Sequence, residues 1–151
     1  GTYYTGGIAG CSSEDSIQAC SSSATVNGNY VVGGIVGDFS VSGTMLSCYA
    51  TGKVTGTTYV GAVAGQNNIN STITACYWSG DATTGVGREQ NGATSTVYKV
   101  GENVITWQSA TTTMNTAIKM WNADNDNACP YHYEQQAGDS NPPVLEDGAP
   151  Q

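Results

Sequence analysis

The chain has 151 residues, of which 20 are glycine, only 11% are charged, and the net charge is −8. That length supports one domain able to bury about two thirds of the surface its unfolded form would expose, and the composition suits neither a helical bundle nor a charge-driven disordered chain. Lys and Arg number 4 against 12 Asp and Glu, which excludes nucleic acid and anionic membrane as partners because both need a cationic face. No apolar run approaches the ~18 residues of a membrane span, so this segment is not expected to insert into a bilayer, and no signal peptide opens it.

A repeat is already under way at Gly1, which reads as a piece of a longer chain with further repeats upstream. Thr5-Gly6-Gly7-Ile8-Ala9-Gly10 is followed by Val32-Gly33-Gly34-Ile35-Val36-Gly37 and Val60-Gly61-Ala62-Val63-Ala64-Gly65, so that the first glycine of the motif recurs at Gly6, Gly33 and Gly61. A second landmark keeps step, because Cys20, Cys48 and Cys76 follow one another at an even interval. Each unit is rich in Val, Ile, Thr and Tyr and broken every few residues by Gly, Asn or Ser, which predicts short strands joined by tight turns. Such a unit cannot bury its own apolar face alone, but stacking unit on unit at ~4.8 Å makes a shared core. The predicted fold class is therefore all-β: a β-solenoid of about three 28-residue coils over residues 1–87, closed by a small α/β cap over 88–151. The glycines then serve close packing between coils, since a phosphate-binding loop would have to open a helix that this stretch does not predict.

The residues Gly34-Ile35-Val36-Gly37, followed by Ser47-Cys48-Tyr49-Ala50-Thr51-Gly52 and then Val54-Thr55-Gly56, resemble GLUG repeats. Repeats of that kind occur in large bacterial surface proteins, including IgA-specific metalloproteases and adhesin-like proteins of Bacteroidetes. The resemblance covers about residues 3–87 and departs from the pattern at Ala62, where the first glycine is replaced. It implies a surface-exposed, non-catalytic repeat module that is secreted or held on the outer cell surface, acting as a stalk or presentation surface in adhesion. The implied partners are a host or microbial surface glycan or protein, and upstream repeats of the same parent chain.

After Gly87 the period fails. Ser95–Val100 and Val104–Trp107 predict a hairpin around Gly101-Glu102-Asn103. Thr112 or Thr113 is the predicted cap of a helix carrying Met114, Ala117, Ile118 and Trp121 on one stripe. Trp121 and Ile118 are expected to close the last coil. At the opposite end the first coil, with only Gly1 and Thr2 before it, is expected to be open, and amides near Ile8 should exchange faster than those near Val63.

The candidate chemistry is thin, and no catalytic, cofactor-binding or metal-binding residue is predicted. The cysteine column reads as an inert interior ladder, with a single disulfide inside it as the alternative. For Ile17 and Cys20 both to point inward, a bend must separate them. Cys11 and Cys129 are expected to stay unpaired. The cysteines are odd in number, so at least one thiol is unpaired within the chain. His132 follows Cys129 closely, but no nucleophile signature surrounds the two. Asn122, Asp124 and Asp126 copy the start of a calcium loop, yet Tyr133 stands where its last carboxylate belongs, so a self-bonded turn is predicted. Lys53, Arg88, Lys99 and Lys119 are too few to build the charged groove of a polysaccharide-cleaving enzyme. Tyr3, Tyr30 and either Thr58 or Tyr59 precede the glycine motif and Tyr49 and Tyr77 follow the cysteines; the preferred reading is packing in the core or against a turn, and the other is a sugar-binding tyrosine face.

Overall fold

A computed structural model describes residues 3–13, 16–39 and 41–151. Gly1 and Thr2, on which the open-end expectation turns, lie outside the described residues. The first repeat contains β1 (Tyr4–Gly6), β2 (Ala9–Ser12), β3 (Ser16–Gln18), β4 (Ser21–Ser22) and β5 (Val26–Asn27). The second contains β6 (Val31–Gly33), β7 (Val36–Phe39), β8 (Thr44–Leu46), β9 (Tyr49–Ala50) and β10 (Val54–Thr55). The third contains β11 (Tyr59–Gly61), β12 (Ala64–Asn67) and β13 (Thr72–Trp78). Then come β14 (Val86–Glu89), β15 (Thr94–Lys99), α1 (Trp107–Asp124), β16 (Tyr131–Glu134) and β17 (Val144–Asp147).

The expected fold class needs correction. Among the described residues the 17 strands fall into five separate sheets, mostly of parallel strands, accompanied by an 18-residue helix; this make-up is closer to an α/β-type domain than to an all-β solenoid with a small cap. The physical reason is the helix. It does not close the last repeat but lies along the flank of the sheets: Trp107, Ala110, Met114 and Ile118 share a core with Ala19, Leu46 and Ala75, so all three repeats touch it. A stripe at i, i+3, i+4 shows that a helix has an apolar face and leaves open which surface that face will meet.

Within the sheets, corresponding strands of successive repeats pair in parallel, with Gly6, Gly33 and Gly61 in register. Close approach explains the glycines. A Cβ on Gly33 would stand 1.9 Å from the Val36 carbonyl oxygen and 2.7 Å from the Gly65 nitrogen, and one on Gly34 would stand 2.0 Å from the Ala62 carbonyl oxygen. The predicted hairpin is absent. β15 pairs in parallel with β13, and β14 with β12, so residues 86–99 form a fourth tier. This tier is shortened: Val86 lies opposite Ala64 and Thr94 opposite Thr72, a smaller step along the chain than the one from Val36 to Ala64 or from Thr44 to Thr72.

The bend required between Ile17 and Cys20 is a residue in left-handed conformation that recurs before each cysteine of the column: Ala19 (φ 49°), Ser47 (φ 52°) and Ala75 (φ 52°). Each such non-glycine residue carries about 1–2 kcal/mol of strain. All three are buried, Ala19 and Ala75 in the core under α1, while the Ser47 hydroxyl donates to the Met114 carbonyl at 2.7 Å. The bend thus turns Ile17 and Cys20 toward one core and offers small residues to the helix on the other side.

Helix α1 begins earlier than the sequence predicts. Thr106 is its cap: the Thr106 side chain accepts from the Ser109 backbone at 3.1 Å, and the Ser109 hydroxyl accepts from the Thr106 backbone at 3.0 Å. Thr112 and Thr113 lie inside the helix and donate back to the carbonyls of Gln108 and Ser109. The strap formed by β16 and β17 pins the helix further, since Tyr133 donates its hydroxyl to the Ser47 carbonyl at 2.7 Å and Asn115 exchanges two hydrogen bonds with the Tyr133 backbone.

Candidate interaction site at the N-terminal edge

Among the described residues, strands β1, β2, β3 and β4 each pair with one neighbouring strand, of the second repeat. The side chains at that end of the sheets belong to the interior columns. Ile8 is 48% exposed, whereas its counterparts one and two repeats on, Ile35 and Val63, are 0% exposed. Ile17 and Cys20 are half-buried where Met45, Ile73, Cys48 and Cys76 are fully buried. Together Ile8, Ile17 and Cys20 form the floor of a cavity of about 520 Å³ whose far wall is Trp121 and Tyr131. The sequence places Trp121 at the last repeat; the run of α1 along the flank brings it to the first.

The first two repeats also carry an exposed aromatic cluster. Tyr3 (64% exposed) and Tyr30 (49% exposed) stack with ring centroids 5.1 Å apart, and Tyr4 tilts against Tyr3 at 6.3 Å. Of the core or turn-packing role expected for these tyrosines, the core part fails for Tyr3 and Tyr30, which are exposed and stack on each other. Tyr49 and Tyr77 turn toward α1, with Tyr49 edge-on to Trp107 at 5.3 Å. Tyr59 is covered by the Arg88 guanidinium, 4.9 Å from its ring centroid.

A polar column runs down an adjacent sheet. Asp38, buried in β7, accepts from the Gln66 amide at 2.8 Å and the Asn68 amide at 3.0 Å, and the Cys11 thiol lies 3.9 Å from its other oxygen. Partial burial and then the Asp38 charge raise the Cys11 pKa, so this thiol stays protonated and is a poor nucleophile at neutral pH. Two of the column's thiols are also raised: Cys20 by its hydrogen bond with Cys48 and by burial, and Cys48 chiefly by burial. All five cysteines are free, and Cys48 and Cys76 are within hydrogen-bond reach, with the Cys48 amide 3.4 Å from the Cys76 sulfur.

The remaining sequence candidates are not brought together. Cys129 is buried against α1, whereas His132 sits on the strap with its ring nitrogens 2.7 Å from the Gly148 carbonyl and 3.0 Å from Glu134. The Gly148 carbonyl first and Glu134 second raise the His132 pKa, which favours an imidazolium holding the strap rather than a general base for a thiol. Both amide atoms of Asn122 are used on the Cys129 backbone, at 2.7 and 3.0 Å, and Asn125 donates to the Trp121 carbonyl, so the would-be calcium loop is a self-bonded turn. Among the described residues no cluster of three or more His, Cys, Asp or Glu side chains has metal-binding geometry. What this arrangement offers is surface: an apolar mouth and exposed aromatic rings.

Comparison with protein-family models, with curated proteins and with solved structures found no match.

Proposed function

We propose that this chain is a non-catalytic repeat module of a secreted or cell-surface bacterial protein, serving as a rigid stalk or presentation surface in adhesion. The observation that carries the reading is the in-register parallel pairing of successive repeats, which adds length tier by tier at about 4.8 Å while keeping the side chains of each column aligned. The GLUG-like residues support the surface location. The scarcity of cations supports a binding role over chemistry. An antibody against this segment should label intact cells of the source organism at least as strongly as permeabilised ones. Labelling confined to permeabilised cells would contradict the reading.

A second reading has its own observation. The stacked, exposed Tyr3 and Tyr30 form an aromatic platform on which the apolar face of a sugar ring can lie, so carbohydrate binding is the alternative role. On a glycan array the domain should then retain one sugar class, and Tyr30→Ala should abolish that retention with the melting temperature unchanged. Retention unaffected by the substitution would remove the tyrosines from the argument.

A further inference from the structure

Both ring nitrogens of His132, the chain's one histidine, face acceptors: Nδ1 lies 2.7 Å from the Gly148 carbonyl oxygen and Nε2 lies 3.0 Å from a Glu134 carboxylate oxygen. A neutral imidazole carries one N–H and can donate to only one of them, whereas the imidazolium carries two and satisfies both. We propose that the strap formed by β16 and β17 is a proton-dependent latch on α1, closed while His132 is an imidazolium and slackened when it loses that proton.

The charges of the strap favour this arrangement. Strand alternation turns Tyr133 inward and puts His132 on the outer face with Glu134. Glu146 stands directly across from His132, and Asp147 follows it, so β16 and β17 carry Glu134, Glu146 and Asp147 with His132 as their one source of positive charge. From the helix behind the strap the charged side chains are Lys119 and Asp124; Lys119 lines a cleft with Pro150 and Gln151, and among the described residues the ion pair of His132 is with Glu134. Loss of the proton therefore leaves one acceptor without its donor and a neutral ring among carboxylates. The Gly148 carbonyl and then Glu134 raise the His132 pKa. Because the folded value lies above the unfolded one, the stabilisation is complete below about pH 6.5, the ordinary imidazole value, and is lost as the pH rises through the folded value.

Beneath the latch lies aromatic surface. Tyr133 and Pro143 are buried there, the Tyr133 hydroxyl donates to the Ser47 carbonyl, and the Tyr49 hydroxyl donates to the Pro143 carbonyl at 2.7 Å. Tyr49 also meets Trp107 edge-on, so each opening of the strap brings water to the aromatic contact between α1 and the repeats. The inference is independent of the adhesive role: it concerns when the strap opens, whatever the module presents.

Hydrogen exchange followed by NMR on the whole chain tests it, with rates corrected for the intrinsic effect of pH on amide exchange. The Tyr133 amide, which donates to the Asn115 side chain at 2.7 Å, is the reporter. Its protection should fall roughly three-fold between mild acid and mild alkali, the size expected of an exposed charge pair. The midpoint of that fall should coincide with the titration of the His132 ring, read from its own resonances. His132→Gln should hold Tyr133 at the lower protection at every pH. Glu134→Gln, at an exposed position, should move both midpoints to lower pH, and it keeps the test intact if His132→Gln does not fold. Protection that does not change with pH, an equal fall in folded His132→Gln, or a midpoint that stays in place in Glu134→Gln would each overturn the proposal.

Discussion

Gly33→Ala is expected to cost roughly 3 kcal/mol or more, enough to leave much of the chain unfolded at room temperature if its stability is ordinary for its size. The added Cβ would fall 1.9 Å from the Val36 carbonyl oxygen, 2.7 Å from the Gly65 nitrogen and 2.8 Å from the Ala64 Cα. All three are backbone atoms, so no side chain can swing aside; the bend between Gly33 and Val36 within the second repeat would have to open and the third repeat would have to move away. Val32, Val36 and Ala64 around it are fully buried, so that separation also admits water to the core. Denaturant unfolding followed by circular dichroism measures the effect. A loss below about 1 kcal/mol would mean that the tiers are not packed as closely as described.

Met114→Ala should destabilise by roughly 2 to 5 kcal/mol and lower the melting temperature by on the order of 10 °C. Met114 is fully buried in the core shared by α1 and the repeats, and its carbonyl holds the Ser47 hydroxyl at 2.7 Å. The distribution of the effect separates a flanking helix from an end cap. A flanking helix braces every tier, so hydrogen exchange should quicken at Ala19, Ser47 and Ala75 together, one position from each repeat. Quickening confined to residues 72–99 would indicate an end cap after all.

The repeats were legible because their spacing is carried by residues with little freedom to vary physically. Glycines at close backbone approaches and a cysteine after each left-handed bend leave a period that survives changes elsewhere. The fourth tier was hidden because its turn is shortened, which brings Val86, Gly87 and Arg88 forward of the positions where the period set by Ala64, Gly65 and Gln66 would place them; the signal was Gly87, which continues the column of Gly37 and Gly65. Helix α1 was legible as a helix, but its start was not. Trp107 is apolar and follows Val104 and Ile105, which favours a strand locally, until burial of Trp107 against the repeats and the Thr106–Ser109 cap decide the matter. The flank it covers was marked by Ala19, Ser47 and Ala75, small residues at one column, yet smallness alone does not distinguish a tight turn from a docking groove. The site was legible in outline only. The position of Ile8 reads as core from its counterparts Ile35 and Val63, which are buried, whereas Ile8 itself is exposed.

The most direct test of the account is a solution NMR spectrum of the backbone with the nuclear Overhauser contacts between strands assigned. Parallel tiers require contacts linking Met45 to both Ile17 and Ile73, and Ile73 onward to Ser95, with the buried face of α1, formed by Trp107, Ala110, Met114 and Ile118, giving contacts to the cluster of Ala19, Leu46 and Ala75. Contacts between strands that are neighbours in sequence and run antiparallel, such as β2 with β3 or β7 with β8, would contradict it.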